Sequence, residues 1–349
     1  MPTTTTSGAE TSPHPYAALT PDRALDPLAT VGILGDGRLQ ALGSNENRVY
    51  LVGIEDADPV VAKFYRAGRW SDAAIAEEHL FVAELAEREI PVVAPLSLAG
   101  RTLHIADGFR FAVYPRCRGR PPELERKETL EWMGRFLGRI HAAGALTPFS
   151  HRPALDARTL GSEPRDWLLA HDFIPQDLRA AWQAIAAQAL DSVAHCYERA
   201  GAVRMLRLHG DCHAGNVLWT EHGRMGDRVH GPHFVDFDDA RMGPAMQDLW
   251  MLLSGDRAEM ARQLGFVLAG YEDFFPFDRR ELQLVEALRT LRLLHYSAWL
   301  AQRWVDPAFP AAFPWFNTQR YWQDRILELR EQVALMDEPP LELDHRWSR

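Results

Sequence analysis

Along residues 38–54, 59–65 and 101–116, short runs of β-branched and aromatic residues are broken by Gly, Asn, Asp and Pro. That pattern predicts strands of an antiparallel sheet. Between the second and third runs, residues 71–89 carry Ile75, His79, Phe81, Val82 and Leu85 at roughly helical spacing until Pro91 ends the series. One helix is therefore expected within a β-rich region. From about residue 123 the period changes. Residues 127–144, 179–201 and the stretch after Asp248 place apolar side chains every three or four positions, so the rest of the chain reads as mainly helical. Pro115 and Gly119 lie at the change and suit a short connector better than a continued strand. The expected organisation is a disordered tail at 1–25, a first lobe at 26–115 and a second lobe at 116–349, with the hinge at 114–119.

Composition narrows this picture. A chain of 349 residues exceeds the usual size of one core, which favours two lobes and a cleft between them. The Thr-, Ser- and Pro-rich start buries too little apolar surface to offset its ordering entropy. A net charge of −10 supplies no global positive field to draw the chain onto nucleic acid or anionic lipid. Cys117, Cys196 and Cys212 are far apart and form no CxxC pair, against a disulfide framework or a structural zinc. With no signal-like or membrane-spanning run, a cytoplasmic monomer is the expectation. The closing third is rich in aromatics, from Trp299 to Trp322; they pack the second lobe or, alternatively, face a substrate.

The sharpest chemical signal is residues 207–219, RLHGDCHAGNVLW, in which apolar flanks bracket a loop bearing Asp211 and Asn216. The run FVDFDD then delivers Asp236. Magnesium prefers hard oxygen ligands and commonly takes one or two from protein while sharing substrate phosphates. Asn216 and Asp236 form such a pair. Asp211 is left to accept the proton of an incoming hydroxyl or simply to orient it, since phosphoryl transfer needs positioning and charge neutralisation more than covalent help.

HGDCHAGN followed by VDFDD resembles the HxDxxxxN catalytic loop and metal-binding Asp of the aminoglycoside/choline phosphotransferase superfamily, relatives of protein kinases. Within it, GSNENRVY, VVAKFYR, AEEHLF, FAVYPRCRGR, RLLHYSAWLAQRW and DPAFPAAFPWF resemble the bacterial stress response kinase A family of serine/threonine protein kinases. The resemblance implies an α+β, protein-kinase-like bilobal fold, with an antiparallel first-lobe sheet carrying one helix and a mainly helical second lobe. It implies ATP and Mg2+ as cofactors. It makes Asp211 the proton acceptor, Asn216 and Asp236 the metal ligands, Lys63 a phosphate contact and Ser44 part of the loop over ATP.

The residues support these roles unequally. Lys63 ends an apolar run that a strand would hold rigidly at a cleft. Its expected acidic partner is Glu78, because Phe81, Val82 and Leu85 lie at +3, +4 and +7 from it and mark an inward stripe; Glu77 then reads as a solvated charge. Residues 42–50 occupy the place of a glycine-rich phosphate loop but contain only Gly43. His213 either faces the transferred phosphate as a cation or bonds to backbone. Cys212 is either an apolar filler or a redox-sensing thiol. His209 is expected to hold the loop by bonding backbone, and Asp248 to reach back to that loop or cap its own helix. Asp238 and Asp239 read as a solvated turn. The connection between Asn216 and Asp236 reads as a surface loop, with His222, His230 and His233 exposed. The partner is a protein Ser/Thr hydroxyl, alternatively a small-molecule alcohol such as an aminoglycoside, choline, homoserine or a sugar. A catalytically inactive nucleotide-binding module is the third reading.

Overall fold

The structure is a computed structural model and describes residues 14–20, 22–220 and 231–343. Helix α1 (Leu25–Ala29) precedes strands β1 (Gly35–Leu42), β2 (Arg48–Ile54) and β3 (Ala57–Phe64), helix α2 (Asp72–Glu87), and strands β4 (His104–Ala106) and β5 (Phe109–Pro115). The five strands pair antiparallel in the order β1-β2-β3-β5-β4. Alternation along β3 is what splits its chemistry. Ala62 and Phe64 enter the core with Tyr50, Val52, Phe111 and Val113, while Val61 and Lys63 take the opposite face, two residues apart.

The tail expectation needs correction at Tyr16, Leu19 and Ala24, which are buried in this same core. The Tyr16 hydroxyl donates to the Phe64 carbonyl at 3.0 Å, and the Arg48 and Arg66 guanidinium groups lie 4.5 and 5.3 Å from its ring centre. Averaging the composition of the whole start hides one aromatic and one leucine that anchor it. Residues 1–13 lie outside the described residues. The hinge also moves: β5 continues through Pro115, beyond the residues that pair with β4, where an edge position tolerates the missing N–H, so the connector begins at Arg116.

The second lobe contains α3 (Lys127–Gly144), α4 (Glu163–Ala170), α5 (Gln176–Ala200), β6 (Leu206–Leu208), β7 (Val217–Thr220), β8 (Gly231–Phe234), β9 (Arg241–Gly243), α6 (Met246–Trp250), α7 (Arg257–Tyr271), α8 (Val285–Gln302), α9 (Ala308–Ala312) and α10 (Gln319–Asp337). Helices α3 and α7 meet closely at Gly134, where a Cβ would stand 1.9 Å from the Val267 carbonyl oxygen. Phe309, Phe316 and Trp322 are fully buried, so much of the aromatic third is core. Two short antiparallel ribbons, β6 with β9 and β7 with β8, carry the polar loops. His233 is a correction: it lies half-buried in β8 rather than in an exposed loop. His222 and His230 lie outside the described residues. Among the described residues no helix is long and apolar enough to cross a membrane.

Candidate active site

Strand β6 leads into the loop at His209. Gly210 adopts φ +85°, and a Cβ there would lie 2.1 Å from the Asp239 carbonyl oxygen, so the loop's tight turn requires glycine. Asp248 on α6 accepts from the backbone N–H of Gly210 at 2.8 Å and of His209 at 2.9 Å, and His141 Nε2 contacts the same carboxylate at 3.1 Å. His209 Nε2 donates to the Val235 carbonyl at 2.9 Å, while its Nδ1 accepts from Asp211 N–H at 3.3 Å. His209 thus has the backbone contacts expected of it, and of the two readings of Asp248 the structure shows the reach back to the loop. Cys212 is completely buried, and that burial pushes its thiol well up, which fits the filler.

The β7–β8 register pairs Val217 with Phe234, and Val235 N–H donates to the Asn216 carbonyl at 3.0 Å. Asn216 thus stands beside the position preceding Asp236. Its Nδ2 donates to the Asp211 carbonyl at 2.9 Å, which leaves Oδ1 as the atom available to a cation. Asp236 adopts φ 59°, ψ 61°, a left-handed conformation that Asp and Asn tolerate better than most residues. Its side chain is 45% exposed.

Lys63 Nζ donates to Asp236 Oδ1 at 2.8 Å and lies 3.2 Å from Asp238 Oδ1. Burial works against its charge, but Asp236, Asp238 and Glu78 outweigh burial and hold its pKa well above the usual lysine value. Its expected ion pair with Glu78 is corrected: Glu78 pairs with Arg152 Nη2 at 3.0 Å. Burial lifts the Glu78 carboxyl to about 7 against the pull of Lys63 and Arg152. Glu77 is not a solvated charge either, since its carboxylate accepts from the backbone N–H groups of Ser150 and His151. Asp238 and Asp239 are also not a solvated turn. Arg69 bonds both, and Arg241 Nη2 lies 2.7 Å from Asp239.

Asp211 accepts from Arg292 Nη1 at 2.7 Å, and His213 Nε2 lies 3.5 Å from its other oxygen. Burial would raise the Asp211 carboxyl; the His213 contact and the Arg292 charge prevail and bring it to about 2. His213 Nδ1 accepts from Gly215 N–H at 3.0 Å, so the ring bonds to backbone while its other nitrogen faces Asp211.

Two cavities meet at Ser44, Asn216 and Asp236. One, of ≈ 320 Å³, is walled by Leu42, Val49, Val61, Val82, Leu218 and Phe237, with Lys63 in its lining. Its apolar faces suit a flat heterocycle. The other, of ≈ 480 Å³, contains Asp211, His213, Arg292, Tyr296 and Trp299. Among the described residues no three His, Cys, Asp or Glu side chains gather as a self-sufficient metal cage. Asn216 Oδ1 and the Asp236 oxygen not bonded to Lys63 offer two hard ligands, a set that fits magnesium shared with phosphates.

Arg69, Arg152 and Arg292 escaped the sequence reading. Only Arg292 carries a local signal, lying on one helical stripe with Tyr296, Trp299 and Arg303.

The profile of the Phosphotransferase enzyme family matches residues 38–285. Over 328 residues the chain is 44% identical to "Serine/threonine protein kinase RdoA" of Salmonella typhimurium, covering 94% of this chain and 97% of that protein. It is 44% identical over 329 residues to "Stress response kinase A" of Escherichia coli K12, with the same coverage. Among solved structures, an amicoumacin kinase in complex with AMP-PNP, Ca2+ and Ami superposes with a TM-score of 0.68 at 20% identity, over 91% of this chain and 94% of that one. A microcompartment-associated aminopropanol kinase superposes at 0.67 and 18% identity, over 90% and 96%. These likenesses give the kinase-like α+β fold. With this identity sustained over nearly the whole chain, the protein belongs to the stress response kinase A group of the phosphotransferase enzyme family and is itself a phosphotransferase.

Proposed function

We propose that the protein is an ATP- and magnesium-dependent serine/threonine protein kinase. The observation that carries this reading is the meeting of an apolar cavity lined by Lys63 and a polar cleft at Asn216 and Asp236, with Asp211 on the cleft side. The apolar walls take the adenine, and Lys63 and the loop at Ser44 hold phosphate oxygens. Magnesium, when bound, neutralises charge on the phosphates. Asn216 and Asp236 would hold it, and Asp236 keeps Lys63 beside it.

Asp211 orients the acceptor hydroxyl. As the hydroxyl oxygen bonds to the γ-phosphorus, the bond from that phosphorus to the departing ADP oxygen breaks and the hydroxyl proton passes to Asp211. A carboxylate held at about 2 is a weak base, so its contribution lies in orientation and late proton acceptance, as a loose transition state requires. The protein acceptor comes from the names of the relatives at 44% identity.

The test is transfer of label from γ-labelled ATP to a generic protein substrate by wild type and Asp211→Ala. Label transfer should fall by roughly 10²–10⁴-fold in the variant while nucleotide affinity is retained, and chelation of divalent metal should abolish it. Strong small-alcohol turnover without protein labelling would overturn the protein-kinase assignment.

A further inference from the structure

Helix α8 walls the larger cavity with Arg292, His295, Tyr296 and Trp299. Apart from Asp211 and Asp236, the carboxylates that line this cleft are already committed. Glu46 lies against Arg66 at 3.1 Å and Arg303 at 2.6 Å, Asp238 is held by Lys63 and Arg69, and Asp239 by Arg69 and Arg241. A carboxylate already bonded to two cations has little left for an incoming ammonium.

Arg292 differs from the other cleft arginines. Its side chain is 41% exposed, and among the described residues Asp211 is its one hydrogen-bonded partner. Arg292 is thus an exposed cation of the cleft, held by the residue proposed to orient the acceptor hydroxyl. Arg292 holds one Asp211 oxygen and His213 lies 3.5 Å from the other, so release of Arg292 opens an oxygen to the hydroxyl.

We propose that Arg292 selects the acceptor: the cleft takes a hydroxyl flanked by a carboxylate, which replaces Asp211 on the Arg292 guanidinium and frees Asp211 for the hydroxyl. Resting on the protein-kinase reading above, this names the substrate class as serine or threonine beside an acidic side chain. The planar guanidinium can grip that carboxylate through two parallel N–H bonds, which a lysine cannot reproduce.

The experiment compares serine peptides bearing Glu, Gln or Arg at each neighbouring position in turn, phosphorylated by wild type, Arg292→Ala and Arg292→Glu. Wild type should favour the best Glu peptide over its Gln twin by roughly tenfold in kcat/KM. Arg292→Ala should erase that ratio, and Arg292→Glu should shift preference to a peptide with Arg at the same position. The ratio is the readout, because a merely structural loss lowers both peptides together. Equal preference in wild type and Arg292→Ala overturns the proposal. If wild type labels no peptide, the protein-kinase reading fails. The inference is then decided by glycerate against ethanolamine: a glycerate preference lost in Arg292→Ala keeps it, and equal use, or use of neither, overturns it.

Discussion

Asp238 illustrates how one buried carboxylate ties site chemistry to stability. It is 3% exposed, and burial alone would raise its pKa. Arg69 and Lys63 outweigh burial and lower it from 3.8 to about 2. Because the folded-state pKa is depressed, the stabilisation is fully present above the unfolded value and disappears as pH falls from 3.8 towards about 2. Asp211 moves in the same direction. Thermal melts of wild type and Asp238→Asn should therefore differ most near neutrality, with the variant melting lower because Lys63 and Arg69 lose a counter-charge. The gap should close as pH drops below 3.8; a gap independent of pH would contradict the linkage. Such a residue is poorly legible in sequence. FVDFDD announces Asp236, but whether the next two acids face water depends on Arg69, which is 169 and 170 positions away from them.

Arg152 ties helix α2 to the loop at residues 236–240, beside the packing of Phe81 on Phe237. Arg152 is 5% exposed. It donates to the Ala74 carbonyl at 2.9 Å and to Glu78 at 3.0 Å on α2, and to the carbonyls of Asp238 and Ala240 at 2.9 and 2.7 Å. Removing one partner from a buried ion pair strands the other, whereas replacing both with apolar groups can be nearly neutral. Arg152→Met should thus cost about 3–5 kcal/mol, read by urea unfolding. Arg152→Met with Glu78→Leu should recover part of that loss, the remainder reflecting the orphaned carbonyls. Equal destabilisation of single and double variants would show that Glu78 is not the reason. At this scale the chain reads well. Ser71, whose side chain accepts from Ala74 N–H at 3.2 Å, and Pro91 bracket α2, and period-two alternation places Lys63 on the cleft face of β3. The inward position of Glu78 also follows from spacing. Its partner does not, because a buried carboxylate accepts any cation that geometry delivers, and Arg152 arrives from beyond the hinge.

Between the lobes, a clasp of charges joins the loop that follows β1 to the end of α8. Glu46 receives Arg303 Nε at 2.6 Å and Trp299 Nε1, and Arg66 of the first lobe lies 3.1 Å from the same carboxylate. Arg66 Nη2 also donates to Asp306 at 2.7 Å, alongside Arg48 at 3.1 Å. Asn47 in the same loop accepts from Arg66 N–H at 3.1 Å. A loop with only one glycine therefore need not rely on backbone flexibility, because side chains from both lobes hold its shape. That division of labour explains why residues 42–50 look unlike a glycine-rich loop in sequence yet border both cavities. If the clasp positions Ser44 and its neighbours, weakening it should loosen the loop and weaken nucleotide capture more than turnover. Arg303→Ala removes one charge-assisted bond without touching either cavity, and Glu46→Gln weakens several. Both should speed hydrogen exchange at residues 43–47 and raise KM for ATP by roughly tenfold, with a smaller change in kcat. Faster exchange with unchanged KM would separate the clasp from nucleotide binding. Unchanged exchange would mean that the loop holds itself, and that the contacts between Glu46 and α8 serve only to join the lobes.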